Sequence, residues 1–163
     1  MVVIDDSFDS EEKIISSLRT AGYTARSSRA EDDEDLLEVL AKQTPELIIY
    51  FEGMELISLA QTIECLKKDK RTESCRVIVV NKKEQPNVIS AMRSGAVDAT
   101  CFNDINHLIL IIAREHQSAT SARQISSYRK SFKESEKRCA SLLDSSRDAI
   151  AYIHEGMHVY SNR

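Results

Sequence analysis

Two strand-length runs of unbroken apolar residues, at 47–51 and 77–80, constrain this chain more than any other feature in it. Each is too short for a core helix and has no polar residue at alternate positions. Each is therefore read as a strand buried on both faces. Sheets covered on both faces are parallel, and parallel strands need crossover helices between them.

The flanking residues supply those parts. Residues 1–4 form a short β-rich run. A helical pattern follows over 10–21, with Ile14, Ile15 and Leu18 on one face and Gly22 suited to its stop. Asp9 and Glu12 are spaced like a capping box. Residues 23–26 are a candidate second strand. The acidic cluster 31–35 opens a helix carrying Leu36, Leu37 and Leu40, where negative charge complements the helix dipole. A third helix is expected over 56–68, with Leu59, Ile63 and Leu66 inward. Pro86 stands near the start of a fourth, which ends at Gly95, and 98–102 reads as a fifth strand. Five strands alternating with helices predict an α/β fold: a five-stranded parallel sheet, doubly wound, with its chemistry at the strand C-terminal ends.

Composition narrows the class of function. At 42% hydrophobic and 29% charged residues the chain is that of a globular protein. A formal net charge of -4 gives no pull towards nucleic acid or an anionic membrane, so neither is expected as a partner. No apolar stretch is long enough to span a bilayer. The first residues lack the basic and apolar regions of a signal peptide, and a cytoplasmic location is expected. Cys65, Cys75, Cys101 and Cys139 form no C-x-x-C pair and have no histidine at ligand spacing. They are expected to be reduced thiols, with neither zinc nor disulfides.

After Asn103 the pattern changes, with neither proline nor glycine between Gly95 and Gly156. The stretch begins with an apolar face of Ile105, Leu108, Ile109 and Ile112. Farther on, Ile125, Tyr128, Phe132, Ser135, Cys139 and Leu142 recur at alternating three- and four-residue steps, as in an a/d seam. A long helix that dimerises through this seam is expected, interrupted by polar Ser135. The basic residues beside it, mixed with Glu134 and Glu136, read as a solvated face. Residues 149–154 and 157–161 then form a predicted hairpin about the turn Glu155-Gly156. An isolated hairpin is marginal in water, so the chain is expected to be the N-terminal part of a longer protein.

Three local motifs now resemble the receiver domain of bacterial response regulators, the CheY-like family, over about residues 1–117. They are Val2-Val3-Ile4-Asp5-Asp6-Ser7, Pro45-Glu46-Leu47-Ile48-Ile49-Tyr50 and Ser94-Gly95-Ala96-Val97-Asp98-Ala99. The resemblance implies the flavodoxin-like (βα)5 fold and a magnesium-binding role for an acidic pair such as Asp5-Asp6, because hard cations prefer clustered carboxylates. The rest of the family's site is missing. Phe51 stands at the phosphoacceptor aspartate's place, Asn81 at that of the serine or threonine ending the fourth strand, and Phe102-Asn103 where a lysine follows the fifth.

Phe51 and Phe102 are expected to pack together and close the pocket. Asp5, Asp6 and Glu52 are left as a vestigial acidic pocket, without catalytic residues, metal or cofactor. One alternative stays open: a one-residue bulge brings Glu52 into the pocket as a phosphoacceptor or a phosphomimic. Residues 118–147 are the expected helical linker. From residue 148 the tail resembles the opening of a PAS sensory domain, through Ser141 to Ile150, Ala151-Tyr152-Ile153 and Gly156 to Asn162. This arrangement resembles the front end of cyclic-di-GMP signalling proteins with GGDEF and EAL domains, the FimX-type regulators of type IV pili and twitching motility among them. The resemblance implies a non-enzymatic two-component-like module that homodimerises, contacts other signalling proteins and relays to downstream domains. A pseudo-receiver driving an RNA-binding antiterminator output is the further alternative.

Overall fold

The computed structural model describes residues 1–83, 86–146 and 150–161. It forms two compact units, Met1–Ala119 and Thr120–Arg163. In the first, five parallel strands, β1 (Val2–Ile4), β2 (Ser28–Ala30), β3 (Leu47–Phe51), β4 (Arg76–Asn81) and β5 (Asp98–Cys101), lie in the order β2-β1-β3-β4-β5. Helices α1 (Phe8–Thr20), α2 (Asp33–Lys42), α3 (Leu59–Lys68) and α4 (Val88–Ser94) connect them, and α5 (Ile105–Asp144) follows β5. This is the doubly wound order whose switch point lies between β1 and β3.

Strand parity builds two cores. Ile48 and Tyr50 of β3 join Leu36, Ile63 and Leu66 on one face of the sheet. Leu47, Ile49 and Phe51 join Ile14, Leu18, Leu108 and Ile112 on the other. Every residue of β3 is buried, which is why its sequence shows no alternation.

Local signals account for the helix ends. Helix α1 stops in a Schellman motif, with Tyr23 N–H donating to Leu18 O (2.9 Å) and Gly22 N–H to Arg19 O (3.0 Å). Its start differs from expectation. The N-cap is Ser7, whose side chain makes no capping bond, and Asp9 lies inside the first turn, so no Asp9/Glu12 capping box forms. Helix α2 is capped by Asp32, which accepts from Asp35 N–H at 2.8 Å. Its Leu37 is exposed; only Leu36 and Leu40 fall on the buried face. Helix α3 begins at Leu59, later than predicted, because Ser58 and Gln61 form a reciprocal capping box.

The second strand also departs from expectation. It is Ser28–Ala30, not 23–26, since Met1 O accepts from Ser28 N–H and the register with β1 runs from that point. Three residues of mixed polarity leave no periodicity to read. Strand β5 ends at Cys101, one residue before Phe102. At Gly95, φ is +109°, a conformation that favours glycine, and an added Cβ would press on Ile63 Cδ1 at 3.2 Å.

The second unit holds the rest of α5 and an antiparallel pair, β6 (Ala151–His154) and β7 (Met157–Ser161). Glu155 and Gly156 both take positive φ, 48° and 78°, as a tight hairpin turn requires. Tyr160 Oη donates to Asp144 Oδ1 at 2.7 Å, and that hydrogen bond raises the phenol's pKa. Ile125, Tyr128, Phe132, Cys139 and Leu142 are all exposed on this chain. Arg147, Asp148, Ala149 and Asn162, on which part of the PAS resemblance rests, lie outside the described residues. Among the described residues no helix is long and apolar enough to cross a membrane.

Candidate functional site

The C-terminal ends of β1, β3 and β4 converge on a cavity of about 400 Å³ lined by Asp5, Asp6, Phe51, Glu52, Asn81 and Lys82, among others. The sequence-predicted positions therefore meet in space. Asp5 follows the last residue of β1, and its N–H still donates to Ala30 O at 3.3 Å. This backbone bond holds the side chain in place, and Asp5 is wholly buried. Asp6, the next residue, is exposed.

Strand β3 pairs with β4 in unbroken register from Leu47↔Arg76 to Phe51↔Val80. No bulge occurs, so the shift imagined for Glu52 is absent. Phe51, 1% exposed, is the residue whose side chain turns inward. Glu52 stays exposed at the rim, where its carboxylate accepts from Asn81 Nδ2 at 2.9 Å. The Asn81 side-chain oxygen, Oδ1, in turn accepts from Lys83 N–H at 2.9 Å. Asn81 thus pins Glu52 to the start of the β4–α4 loop.

The rings of Phe51 and Phe102 meet edge to face, with centroids 5.3 Å apart and planes at 71°. This geometry matches the positive edge of one ring to the negative face of the other. Lys13 Nζ stands 4.7 Å from the Phe102 centroid and Lys82 Nζ 5.2 Å from that of Phe51. Each aromatic face therefore carries an ammonium within cation–π range.

Sequence reasoning missed Lys82. Its ammonium lies 2.6 Å from Asp5 Oδ1 and 3.0 Å from Asp6 Oδ1. The strands occur in the order β1-β3-β4, so this contact spans the end of β3 and covers Phe51. Burial alone would lower the Lys82 pKa. The hydrogen bonds and charges of Asp5 and Asp6 outweigh it and hold the ammonium above its ordinary range. The hydrogen bond from Lys82 Nζ is the largest of the influences that hold the Asp6 carboxyl below the usual carboxylate range. The one available signal was the position of Lys82-Lys83 directly after Asn81, the last residue of β4.

A divalent cation at such a site needs several oxygens and no competing charge. Here a phenyl ring replaces a third inward carboxylate, and a lysine ammonium sits against the buried one. The residues present do not fit a metal. Among the described residues no group of three or more His, Cys, Asp or Glu could hold one. The cysteines offer no alternative centre. Cys65 and Cys75 are half-buried, Cys101 is buried and Cys139 is exposed. Burial pushes the Cys75 thiol up to about 12, far from thiolate reactivity.

No family model matches the sequence, and no curated protein matches it. Solved structures do. The receiver domain of the Francisella response regulator 1452 superposes with a TM-score of 0.59 at 18% identity, covering 72% of this chain and 96% of that one. NtrX from Brucella abortus gives 0.63 at 23% identity, covering 79% of this chain and 29% of that one. The N-terminal domain of a response regulator receiver protein from Methanoculleus marisnigri gives 0.51 at 28% identity over 71% and 92%. The chain has the fold of a response-regulator receiver domain, followed by a long helix.

Proposed function

We propose that residues 1–117 form a signalling module that works without phosphorylation. In this reading it is non-enzymatic and cytoplasmic, presents a surface to other signalling proteins, and passes its state along residues 118–147 to a PAS domain that begins near residue 148. Cyclic-di-GMP (GGDEF/EAL) domains would follow. The observation that carries the proposal is Phe51: a phenyl ring, inward and buried, occupies the end of β3 and has no atom able to take a phosphoryl group. Phos-tag electrophoresis after acetyl phosphate treatment tests this. No shifted band is expected, and a shifted band abolished by Glu52→Gln would establish Glu52 as an acceptor instead.

The output is proposed to be a homodimer through α5. The exposed Ile125, Tyr128, Phe132, Cys139 and Leu142 support this reading, because an apolar stripe at a/d spacing gains by burial against a second copy. Sedimentation should show a dimer for the full chain that weakens in the Tyr128→Glu/Phe132→Glu variant. A monomer at high concentration would overturn the dimer.

A further inference from the structure

We propose that the exposed stripe of α5 is self-complementary in the antiparallel sense, so that the second copy packed on it runs in the opposite direction. This rests on the homodimer proposed for α5 and fixes which residues of the two copies meet. Ile125, Tyr128, Phe132, Ser135, Cys139 and Leu142 are exposed on one unbroken helix. From first to last the stripe runs about 26 Å along the axis.

Side-chain size separates the two directions. In a parallel pair each seam residue faces its own copy. Tyr128 would meet Tyr128 and Phe132 would meet Phe132, while Ser135 and Cys139 would each meet an equally small side chain. Helices held apart by the aromatic layers leave a void at the small ones, and helices close enough to fill the void crowd the rings. Turning one copy over pairs Ile125 with Leu142, Tyr128 with Cys139 and Phe132 with Ser135. Large then faces small in the inner layers, and one interhelical distance suits them all. Polar Ser135, an interruption in a parallel seam, becomes the space that admits the second copy's Phe132.

Charge points the same way. With Ile125 at position a, Arg129 and Glu136 both fall at e, and both are exposed. In an antiparallel pair e flanks e, so Arg129 of each copy meets Glu136 of the other. In a parallel pair g flanks e of the next heptad. Arg129 would then face Gln124, and Glu136 would face Ser131, with no ion pair at either place. Flanking charges of this kind set the orientation of paired helices.

The test uses the full chain, with copper-phenanthroline as oxidant and peptide mapping to locate each disulfide. The wild type should form no Cys139–Cys139 link, because antiparallel copies hold those residues about 16 Å apart along the axis, beyond disulfide reach. Tyr128→Cys should link position 128 of one copy to Cys139 of the other, and Tyr128→Cys/Cys139→Ser should form no link. Charge reversal serves where Tyr128→Cys itself loosens the pair. Arg129→Glu should raise the dimer dissociation constant on the order of tenfold, and Arg129→Glu/Glu136→Arg should restore it. A Cys139–Cys139 link in the wild type, a dimeric Tyr128→Cys that forms no 128–139 link, or a double reversal that rescues nothing would overturn the antiparallel register while leaving the dimer standing. A wild-type chain that sediments as a monomer at high concentration would overturn the dimer and its register together.

Discussion

Two of the described carboxylates of the first unit are buried, one at each end of the same sheet, and the chain treats them differently. Glu115, on α5 at the end where the strands begin, has both oxygens satisfied. Arg76 at the start of β4 binds Oε2, and Arg114 Nε donates to Oε1 at 2.8 Å. Arg114 also reaches Asp98 Oδ2 at 2.8 Å, tying the helix to β5. Asp5, at the opposite end, has one ammonium and no hydrogen bond of sound geometry among the described residues. The first arrangement is a closed network, in which planar guanidinium donors fix their acceptor in direction as well as charge. The second neutralises charge without satisfying direction. Structural carboxylates are built in the first way.

The same isosteric change at both sites puts that contrast to the test. Glu115→Gln removes the charge from two charge-assisted hydrogen bonds and should cost roughly 1.5–3 kcal/mol in urea unfolding. Asp5→Asn weakens a single contact, that with Lys82, and leaves Lys82 paired with Asp6. Its cost should lie within about 1 kcal/mol of zero, and a gain in stability would fit the comparison well. If Asp5→Asn destabilises as much as Glu115→Gln, the two ends are alike and the contrast fails.

Sequence reading reached the two ends unequally, for a physical reason. Phe51, Asn81 and Phe102 were legible because strand runs are local and their ends can be counted. The convergence of Asp5, Asp6 and Glu52 followed from parallel topology alone. Lys82 was not legible: it pairs with Asp6 across 76 positions, and its neighbours in sequence do not show which way a flexible side chain turns. Arg76 and Glu115, 39 positions apart, were hidden in the same way, at the sheet end where no function was sought. The misplaced second strand has another origin. Its register comes from a backbone bond to Met1, while its sequence, Ser-Arg-Ala, has no pattern of its own.

The smallest effect expected is the pH dependence of the Lys82 strap, and its sign follows from the two shifts. Asp6 is depressed below its ordinary value of 3.8, so its contribution is present above that pH and fades as acid protonates the folded-state carboxyl. Lys82 is raised above 10.5, so its contribution is present below that pH and fades only as alkali deprotonates the folded-state amine. Asp6 is largely exposed, and solvent screens most of the attraction. The stability difference between wild type and Asp6→Asn, read from urea midpoints, should therefore be small at neutral pH. It should vanish towards acid and shrink on adding salt. Asp6→Asn in a Glu115→Gln background should give the same increment, because the sites stand at opposite ends of the sheet and share no partner. A larger increment there would mean that the two ends are coupled through β4, which carries Arg76 at its start and leads into Lys82 at its end.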